Sequence, residues 1–312
     1  ARFTFPARVG QTERLLAWAE PLDADRVWAI ESAAGLGRLL AQQLVAAGER
    51  VVDVPPTLSA RVRLLANQKT SKNDTNDALS TAITGLRHCG LRTVHSDGHA
   101  AVLRLLADRH HDLTGLRTQA VCRLHVLFRE LHPGGARLRI SAGQARELLA
   151  TIDPVDPVGV ERCVQARAHL ADIERLDRDI AAVKERIAEH VTATGTKLVE
   201  LHGVGPVIAA IILGQIGDIG RFRTRAQFAN YNGTAPIEAS SANTNRHRLN
   251  PRGNRALNHA IHIIAVTQVG HDTPGRAYYL RKQAEGKTRK EALRALKRRV
   301  SDAVWRQLQL DT

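Results

Sequence analysis

The sequence has 312 residues, 43% of them hydrophobic, and its 45 Lys and Arg residues against 31 Asp and Glu give a formal net charge of +14. These values exclude an intrinsically disordered chain and favour a globular protein of two or three segments whose partner is a polyanion, nucleic acid first. No apolar run reaches the roughly 18 residues of a membrane span, so an anionic membrane surface is the weaker alternative and we expect an intracellular protein.

The first hundred residues alternate strand and helix patterns. The stretches "RFTFPA", "RVWAIE" and "RVVDVPP" predict strands, and "QTERLLAWAE" and "GLGRLLAQQLVAAG" predict helices between them. This order predicts a mixed or parallel sheet with crossover helices.

From about residue 97 to 192 the strand patterns disappear. One long periodic helix is predicted to end at Pro133, and a second follows a Gly- and Pro-rich stretch. Apolar residues recur at threes and fours in the second helix: Leu170, Ile173, Leu176, Ile180, Val183 and Ile187. The spacing is that of a short coiled coil, more common in an intramolecular hairpin, with a dimer seam as the alternative.

The last third begins with "KLVELHGVGPVIAAIILGQIGDIGRF", in which Gly203 and Gly205 allow a tight turn and Pro206 suits a first helical position. A helix-hairpin-helix of this kind directs backbone N–H groups at a phosphate, while an ordinary interhelical turn is the alternative.

Two basic segments follow this turn. A polar loop over residues 231–258 contains Arg246, Arg248, Arg252 and Arg255, and residues 280–309 predict a single basic amphipathic helix. We interpret both segments as phosphate contacts, although a charged run is also typical of a solvated face.

Three carboxylates form the candidate catalytic set. Asp74 and Asp77 lie one turn apart at the start of a predicted helix, where they could bracket Mg²⁺ or Mn²⁺, or where Asp74 could simply cap the helix and Asp77 favour its dipole. Glu31 ends an apolar strand, at the edge where α/β sheets bind ligands. An acid at a strand end with an Asp pair on a later helix is the layout of an RNase H-like nuclease core, which uses two-metal chemistry.

Such a core also has an acid on its first strand, and this chain has no counterpart for it. The sequence contains no methionine either. We therefore expect a fragment of a longer protein that lacks part of its metal site.

Four blocks in this order resemble the transposases of the insertion-sequence 110 family: "WAIESAAGLGRLLAQQLVAAGERVVDVPP", "KNDTNDAL", "LHGVGPVIAAIILGQIGDIGRFRTRAQFANYNGTAP" and "NPRGNRALN". These DEDD transposases are related to the Piv DNA invertases and include the bridge-RNA-guided recombinases. The resemblance implies an α/β RuvC-like (RNase H-like) domain over residues 1–96 without its first strand. A helical coiled-coil region over residues 97–195 and a mainly α transposase domain over residues 196–312 would follow.

The same resemblance assigns roles to residues of this chain. It places the family's glutamate at Glu31 and its later aspartates at Asp74 and Asp77. It places the catalytic serine at Ser241, five residues after Pro236, with Ser240 as the second choice.

The resemblance implies a recombinase that moves its own element through serine–DNA covalent intermediates. A structured noncoding RNA would guide it, and a dimer or tetramer in the bacterial cytoplasm, at the nucleoid, would act on DNA. Two alternatives remain: a RuvC-like nuclease that cuts DNA by metal-activated water, and a catalytically inactive nucleic-acid-binding remnant of a mobile element.

Overall fold

The structure is a computed structural model, and it describes residues 3–67, 73–238, 247–248, 250 and 253–312. The chain divides into two compact units, Ala1–Gly98 and His99–Thr312. Within the described residues the fold is mostly helical, with one small three-stranded sheet in the first unit. No described helix is long and apolar enough to cross a membrane.

The first unit is a small α/β fold. Its elements are α1 (Gln11–Ala19), β1 (Val27–Glu31), α2 (Arg38–Ala46), β2 (Arg50–Val54), α3 (Pro56–Asn67), α4 (Asp74–Arg87) and β3 (Arg92–Thr93). Strands β1 and β2 run parallel, with Val27 opposite Arg50 and Glu31 opposite Val54, and β3 adds antiparallel to β2. The predicted mixed sheet with a crossover helix is therefore confirmed.

The sheet differs from the prediction at both ends. Residues 3–7 form no strand; instead the ring of Phe3 stacks on Trp18 of α1 with a centroid distance of 5.8 Å. Strand β3 was not predicted because only two residues of it pair with β2, too few to show an alternating pattern.

Among its described residues, the second unit is helical apart from one short antiparallel pair of strands. Its elements are α5 (His99–Leu131), α6 (Ala142–Ala150), α7 (Pro157–Ala193), α8 (Pro206–Ile216), α9 (Arg225–Tyr231), β4 (Ile237–Glu238), β5 (His247–Arg248), α10 (Arg255–Gly270), α11 (Pro274–Ala284) and α12 (Arg289–Leu310). Two short 3-10 helices, Leu198–Glu200 and Ile219–Arg221, flank α8.

Helices α5 and α7 pack on each other as an antiparallel pair. Arg117 near the middle of α5 is paired with Asp177, whereas Glu130 at its end is paired with Arg162 near the start of α7. Buried apolar side chains of both helices continue into the main core of the unit and into a second cluster with α6. The prediction of two long helices in this region is confirmed, whereas the coiled coil stays a prediction.

One helix prediction was wrong. Residues 280–309 do not form a single helix, because α11 ends at Ala284 and α12 starts at Arg289. Gly286 between them has a left-handed φ of +88°, and Thr288 forms a capping box with Glu291 that starts the next helix.

Candidate functional site

Glu31 lies at the carboxyl-terminal edge of the parallel strand pair. Its successor Ser32 has a φ of +55° and donates its backbone N–H to the carbonyl of Val54 at 3.0 Å, so the chain turns sharply just after the glutamate. The hydroxyl of Ser59 on α3 donates to Glu31 Oε1 at 2.8 Å. Glu31 is partly buried, and its carboxylate is held by this side chain of α3.

Asp74 and Asp77 lie in the first turn of α4, as predicted. Asn73, not Asp74, caps this helix, since its side chain accepts from the N–H of Asn76 at 2.8 Å. The two aspartates also differ in their surroundings: Asp74 is exposed, whereas Asp77 is partly buried and forms an ion pair with Arg63 of α3.

A close contact between a helix and a strand fixes α4 beside Glu31. A methyl group on Gly85 of α4 would lie 2.6 Å from the Cβ of Ala29 on β1, so only glycine permits this approach. On the other side of β1, a methyl group on Gly37 would lie 2.6 Å from Ile30 Cγ2. Helix α4 therefore packs directly against the strand that ends in Glu31, and the N-cap residue of α2 lies close to the other face of that strand.

Helix α3 links the two carboxylates. Ser59 and Arg63 are four residues apart, on one face of the helix, and they contact Glu31 and Asp77 respectively. The side chains of Arg63 and Asp77 are only 17% and 23% exposed. In the described structure, the buried Arg63 Nε and the buried hydroxyl of Ser80 have no hydrogen-bond partner.

The donor set has the chemistry that a divalent cation requires, because Glu31, Asp74 and Asp77 offer hard carboxylate oxygens at and near one sheet edge. Among the described residues, however, no three His, Cys, Asp or Glu side chains converge into a metal centre. Arg63 supplies the positive charge at Asp77 instead. Metal binding by these residues stays a prediction.

The predicted turn before α8 forms where expected. Gly203 has a φ of +93°, and a methyl group there would lie 3.2 Å from the carbonyl oxygen of Ile264 on α10. Gly205 is the N-cap of α8 without a side-chain cap, and Pro206 is its first residue. The first N–H groups of α8 therefore have no side-chain cap. The element before the turn is the 3-10 helix Leu198–Glu200, so a full helix-hairpin-helix does not form.

A buried polar network holds the segment that leads to the predicted serine. Asn232 is fully buried; its side chain donates to Ser301 Oγ at 2.8 Å and accepts from both the N–H and the hydroxyl of Thr234. Asn258 of α10 donates to the carbonyl of Asn232 at 2.8 Å. A buried amide satisfied in this way fixes its backbone neighbours in one position.

Two glycines bring the ends of this segment together. Gly233 has a φ of +72°, and a methyl group on Gly253 would lie 2.4 Å from its nitrogen. The block "YNGTAP" therefore contacts the block "NPRGNRALN" through the backbones of Gly233 and Gly253. The short strands β4 and β5 pair antiparallel between them, with Ile237 opposite Arg248.

Several predicted residues lie outside what the structure describes. Ser240, Ser241, Arg246 and Arg252 fall in the undescribed residues between β4 and α10, and only the backbone of Arg248 is described. Arg255 is described: it is the first residue of α10 and is exposed.

A cavity of about 600 Å³ opens beside the residues that precede the predicted serine. Gly233, Thr234, Ala235 and Pro236 form one wall, and α12 forms another. Six cationic side chains line it: Arg225, Lys287, Arg294, Lys297, Arg298 and Arg299. The acidic residues in its lining are Glu291 and Asp302. We call this space the α12 cavity.

Lys297 connects the α12 cavity to the buried network. Its Nζ donates to Asn258 Oδ1 at 2.7 Å, and Asn258 in turn holds the carbonyl of Asn232. Burial lowers the pKa of Lys297 below 10.5, and the positive charges of Arg255 and Arg294 lower it further. The lysine is therefore surrounded by like charge.

The sequence did not single out Ser59, Arg63, Arg225 or Lys297. Each becomes notable only through a partner distant in the chain: Ser59 is 28 residues from Glu31, and Lys297 is 39 residues from Asn258. In the sequence, Lys297 is one of many basic residues between positions 280 and 309, and this pattern does not indicate which of them has a special role.

Comparison with known families gives two matches within this chain. A family model described as "Transposase IS116/IS110/IS902 family" matches residues 195–280, and a transposase model of the DEDD, IS110 type matches residues 1–133.

Individual relatives align over most of the chain. It is 24% identical over 327 aligned positions to an uncharacterized 44.8 kDa protein of insertion element IS116 from Streptomyces clavuligerus, covering 90% of this chain and 82% of the relative. It is 26% identical, with the same two coverages, to an uncharacterized 42 kDa protein of insertion element IS900 from Mycobacterium paratuberculosis. A 43.6 kDa protein of insertion element IS110 from Streptomyces coelicolor is 39% identical over 106 positions, 33% of this chain and 26% of the relative.

Proposed function

The chain belongs to the IS116/IS110/IS902 family of transposases, and from this membership we propose that it cuts and rejoins DNA to move a bacterial insertion element. The observation that carries the proposal is that two transposase family models match one chain, at residues 1–133 and 195–280, and that two insertion-element proteins align over 90% of it. The net charge of +14 supports it, since clustered cations bind nucleic acid by releasing counterions.

We propose Ser241 as the nucleophile. Its hydroxyl oxygen would attack a DNA phosphorus and form a serine–phosphate ester, while the bond from phosphorus to one sugar oxygen breaks and that oxygen takes up a proton. Attack by a sugar hydroxyl of another strand end on the ester would rejoin DNA and release the serine, so no co-reactant is needed. The rigid anchoring of Gly233 and Thr234, seven or eight residues earlier, supports a positioned serine segment.

We propose that Glu31, Asp74 and Asp77 bind Mg²⁺ or Mn²⁺. When bound, such an ion would compensate negative charge that develops at phosphorus. Support comes from the position of Glu31 at a strand end and of Asp77 on a helix packed on the same strand. Arg63 contacts Oδ1 of Asp77 and would compete with the ion for that oxygen.

Phosphate contacts would complete the machinery. The candidates are Gly203 and Gly205, at the uncapped start of α8, together with Arg246, Arg248, Arg252 and Arg255 around the serine segment. Only 4% of residues are aromatic, so platforms for stacking bases are scarce. This scarcity supports a division of labour in which a noncoding RNA reads the DNA sequence and the protein holds the backbones. We further propose that the protein acts as a dimer or tetramer in the cytoplasm, at the nucleoid.

The experiment is recombination between donor and target DNA in the presence of the RNA encoded beside the element and Mg²⁺. The 312-residue chain is compared with its Ser241→Ala variant, with Ser240→Ala as the matched control. We expect a covalent protein–DNA adduct that Ser241→Ala abolishes and Ser240→Ala retains.

Each other outcome contradicts a defined part of the proposal. Cutting that persists in Ser241→Ala and stops on chelation of the metal would identify a metal nuclease. Loss of the adduct in Ser240→Ala alone would move the nucleophile by one residue. DNA binding without cutting by the unsubstituted chain would indicate an inactive binding protein.

A further inference from the structure

We propose that the α12 cavity binds the sugar–phosphate backbone of DNA next to the serine segment. This inference rests on the proposed function and adds to it the place where the substrate is held.

The cations of the α12 cavity come from three separate elements. Arg225 is the first residue of α9, Lys287 precedes α12, and Arg294, Lys297 and Arg298 lie on one face of α12 at three- and four-residue spacing. The opposite face of α12 is apolar, with Leu296, Val300 and Val304 buried in the core. The helix is therefore anchored by one face while the other presents positive charge to the cavity.

The acidic residues of the cavity are already engaged. Glu291 accepts from the N–H and the hydroxyl of Thr288 in the capping box of α12, and Asp302 pairs with Arg298. Within the described residues, Arg225, Lys287, Arg294 and Lys297 make no ion pair. Arg225, Lys287 and Arg294 are exposed, whereas Lys297 is partly buried and has its pKa lowered first by burial and then by the positive charges of Arg255 and Arg294. A bound anion would relieve this repulsion at Lys297.

Lys297 indicates where that anion would lie. Asn258 takes one of its three donor hydrogens, and two remain for a ligand. Because Asn258 also holds the carbonyl of Asn232, a phosphate on Lys297 is fixed relative to the wall Gly233–Pro236. That wall continues directly into the segment in which the proposed nucleophile lies.

The lining of the cavity favours a phosphate backbone over a base or a free nucleotide. Its aromatic side chain is Tyr278, and three cations already lie over that ring: Arg281, Lys282 and Arg299. Base readout by stacking requires an open aromatic face. A contact made by Lys and Arg with phosphate is independent of sequence and strongly dependent on salt.

The test measures binding of fluorescent duplex DNA across a range of salt concentrations. The triple variant Arg225→Gln, Arg294→Gln, Lys297→Gln is compared with wild type and with a control on α7, Arg167→Gln, Arg178→Gln, Arg186→Gln. The three control arginines are exposed, as Arg225 and Arg294 are. Each phosphate contact contributes about 0.9 to the slope of log affinity against log salt. We expect the cavity variant to lose about 2.7 of this slope, and about tenfold in affinity per contact near 0.1 M salt, while the control retains the wild-type slope.

Two further measurements separate ligand binding from structure. The melting temperature of the triple variant should not fall, because the substitutions remove repulsion and glutamine at position 297 can still donate to Asn258. Lys297→Arg should retain most of the DNA affinity that Lys297→Gln loses. Equal affinity of Lys297→Gln and wild type, with a lower melting temperature, would assign Lys297 a purely structural role and overturn the inference.

The remaining outcomes distinguish the two proposals. A cavity variant that keeps the wild-type slope, in a protein that recombines DNA, overturns the cavity assignment and leaves the function intact. A cavity variant that loses only RNA binding, measured with a structured RNA probe, overturns the choice of DNA. If the cavity variant loses DNA binding but Ser241→Ala still forms the adduct, the cavity assignment stands and the assignment of Ser241 as the nucleophile is wrong.

Discussion

At the scale of residues, the ion pair between Arg63 and Asp77 neutralises the charge of a predicted metal ligand. Both side chains are mostly buried, and Arg63 Nε has no partner in the described structure. A partly buried guanidinium that loses its carboxylate is strongly disfavoured. The pair thus stabilises the first unit in the absence of metal, and a metal ion would compete with Arg63 for Asp77.

We predict that Asp77→Asn lowers the free energy of unfolding of the first unit by about 1–3 kcal/mol without divalent cations. The matched control is Asp97→Asn, which breaks a pair with Arg38 whose side chains are 39% and 46% exposed. Exposed pairs contribute about 0–1 kcal/mol, so the control should change little. Chemical denaturation of both variants measures the difference. An equal decrease in the free energy of unfolding would show that the Arg63–Asp77 pair stabilises the protein no more than an exposed pair does.

The identities of the carboxylates could be proposed from the sequence, but their partners could not. Glu31 at a strand end and Asp77 in the first turn of a helix follow from local patterns. Arg63 and Ser59 gain their roles only when α3 packs beside α4 and β1, which local patterns do not specify.

At the scale of elements, close helix packing at glycine determines how the second unit is built. A methyl group on Gly214 of α8 would lie 2.6 Å from the backbone nitrogen of Arg104 on α5 and 2.7 Å from its Cα. Backbone atoms cannot move aside as a flexible side chain can. This contact fixes the position of α8 against α5. Helix α8 begins just after Gly203 and Gly205, the glycines proposed to bind phosphate.

We predict that Gly214→Ala destabilises the second unit by about 1–3 kcal/mol despite the better helix propensity of alanine. Gly115 of α5 is the control, because it is exposed and a methyl group there meets nothing within 4 Å. Gly115→Ala should stabilise the protein by about 0.5–1 kcal/mol. Thermal unfolding of both variants tests the pair, and a stabilising Gly214→Ala would contradict the close packing.

At the scale of the whole molecule, each unit has a hydrophobic core of its own. In the first unit the buried cluster is small and consists of Ala33, Ala41, Leu44 and Val51. The second unit has a much larger core, which includes Phe228, Leu257 and Ile261. Stability should therefore be distributed unevenly along the chain.

We predict that Leu44→Ala, which removes a fully buried side chain, costs the first unit about 2–5 kcal/mol. Amide hydrogen exchange should then accelerate across residues 11–93 far more than across residues 99–310. Ile261→Ala serves as the reciprocal control, with faster exchange in the second unit. Uniform acceleration along the chain in both variants would show that the two cores unfold as one.

The sequence by itself determined the net charge and the order of the four blocks that resemble the transposase family. It also determined which side of each long helix is apolar and where the strand that ends in Glu31 lies, because these features depend on neighbours a few residues apart. Even the break before α12 was present in the sequence, as Gly286 and the Thr288–Glu291 capping box. Only the tertiary structure decided that Arg63 pairs with Asp77, that Gly253 contacts Gly233 and that Arg225 and Lys297 line one cavity. The two residues of each pair are from 14 to 72 positions apart, and they come together only where distant elements pack on each other.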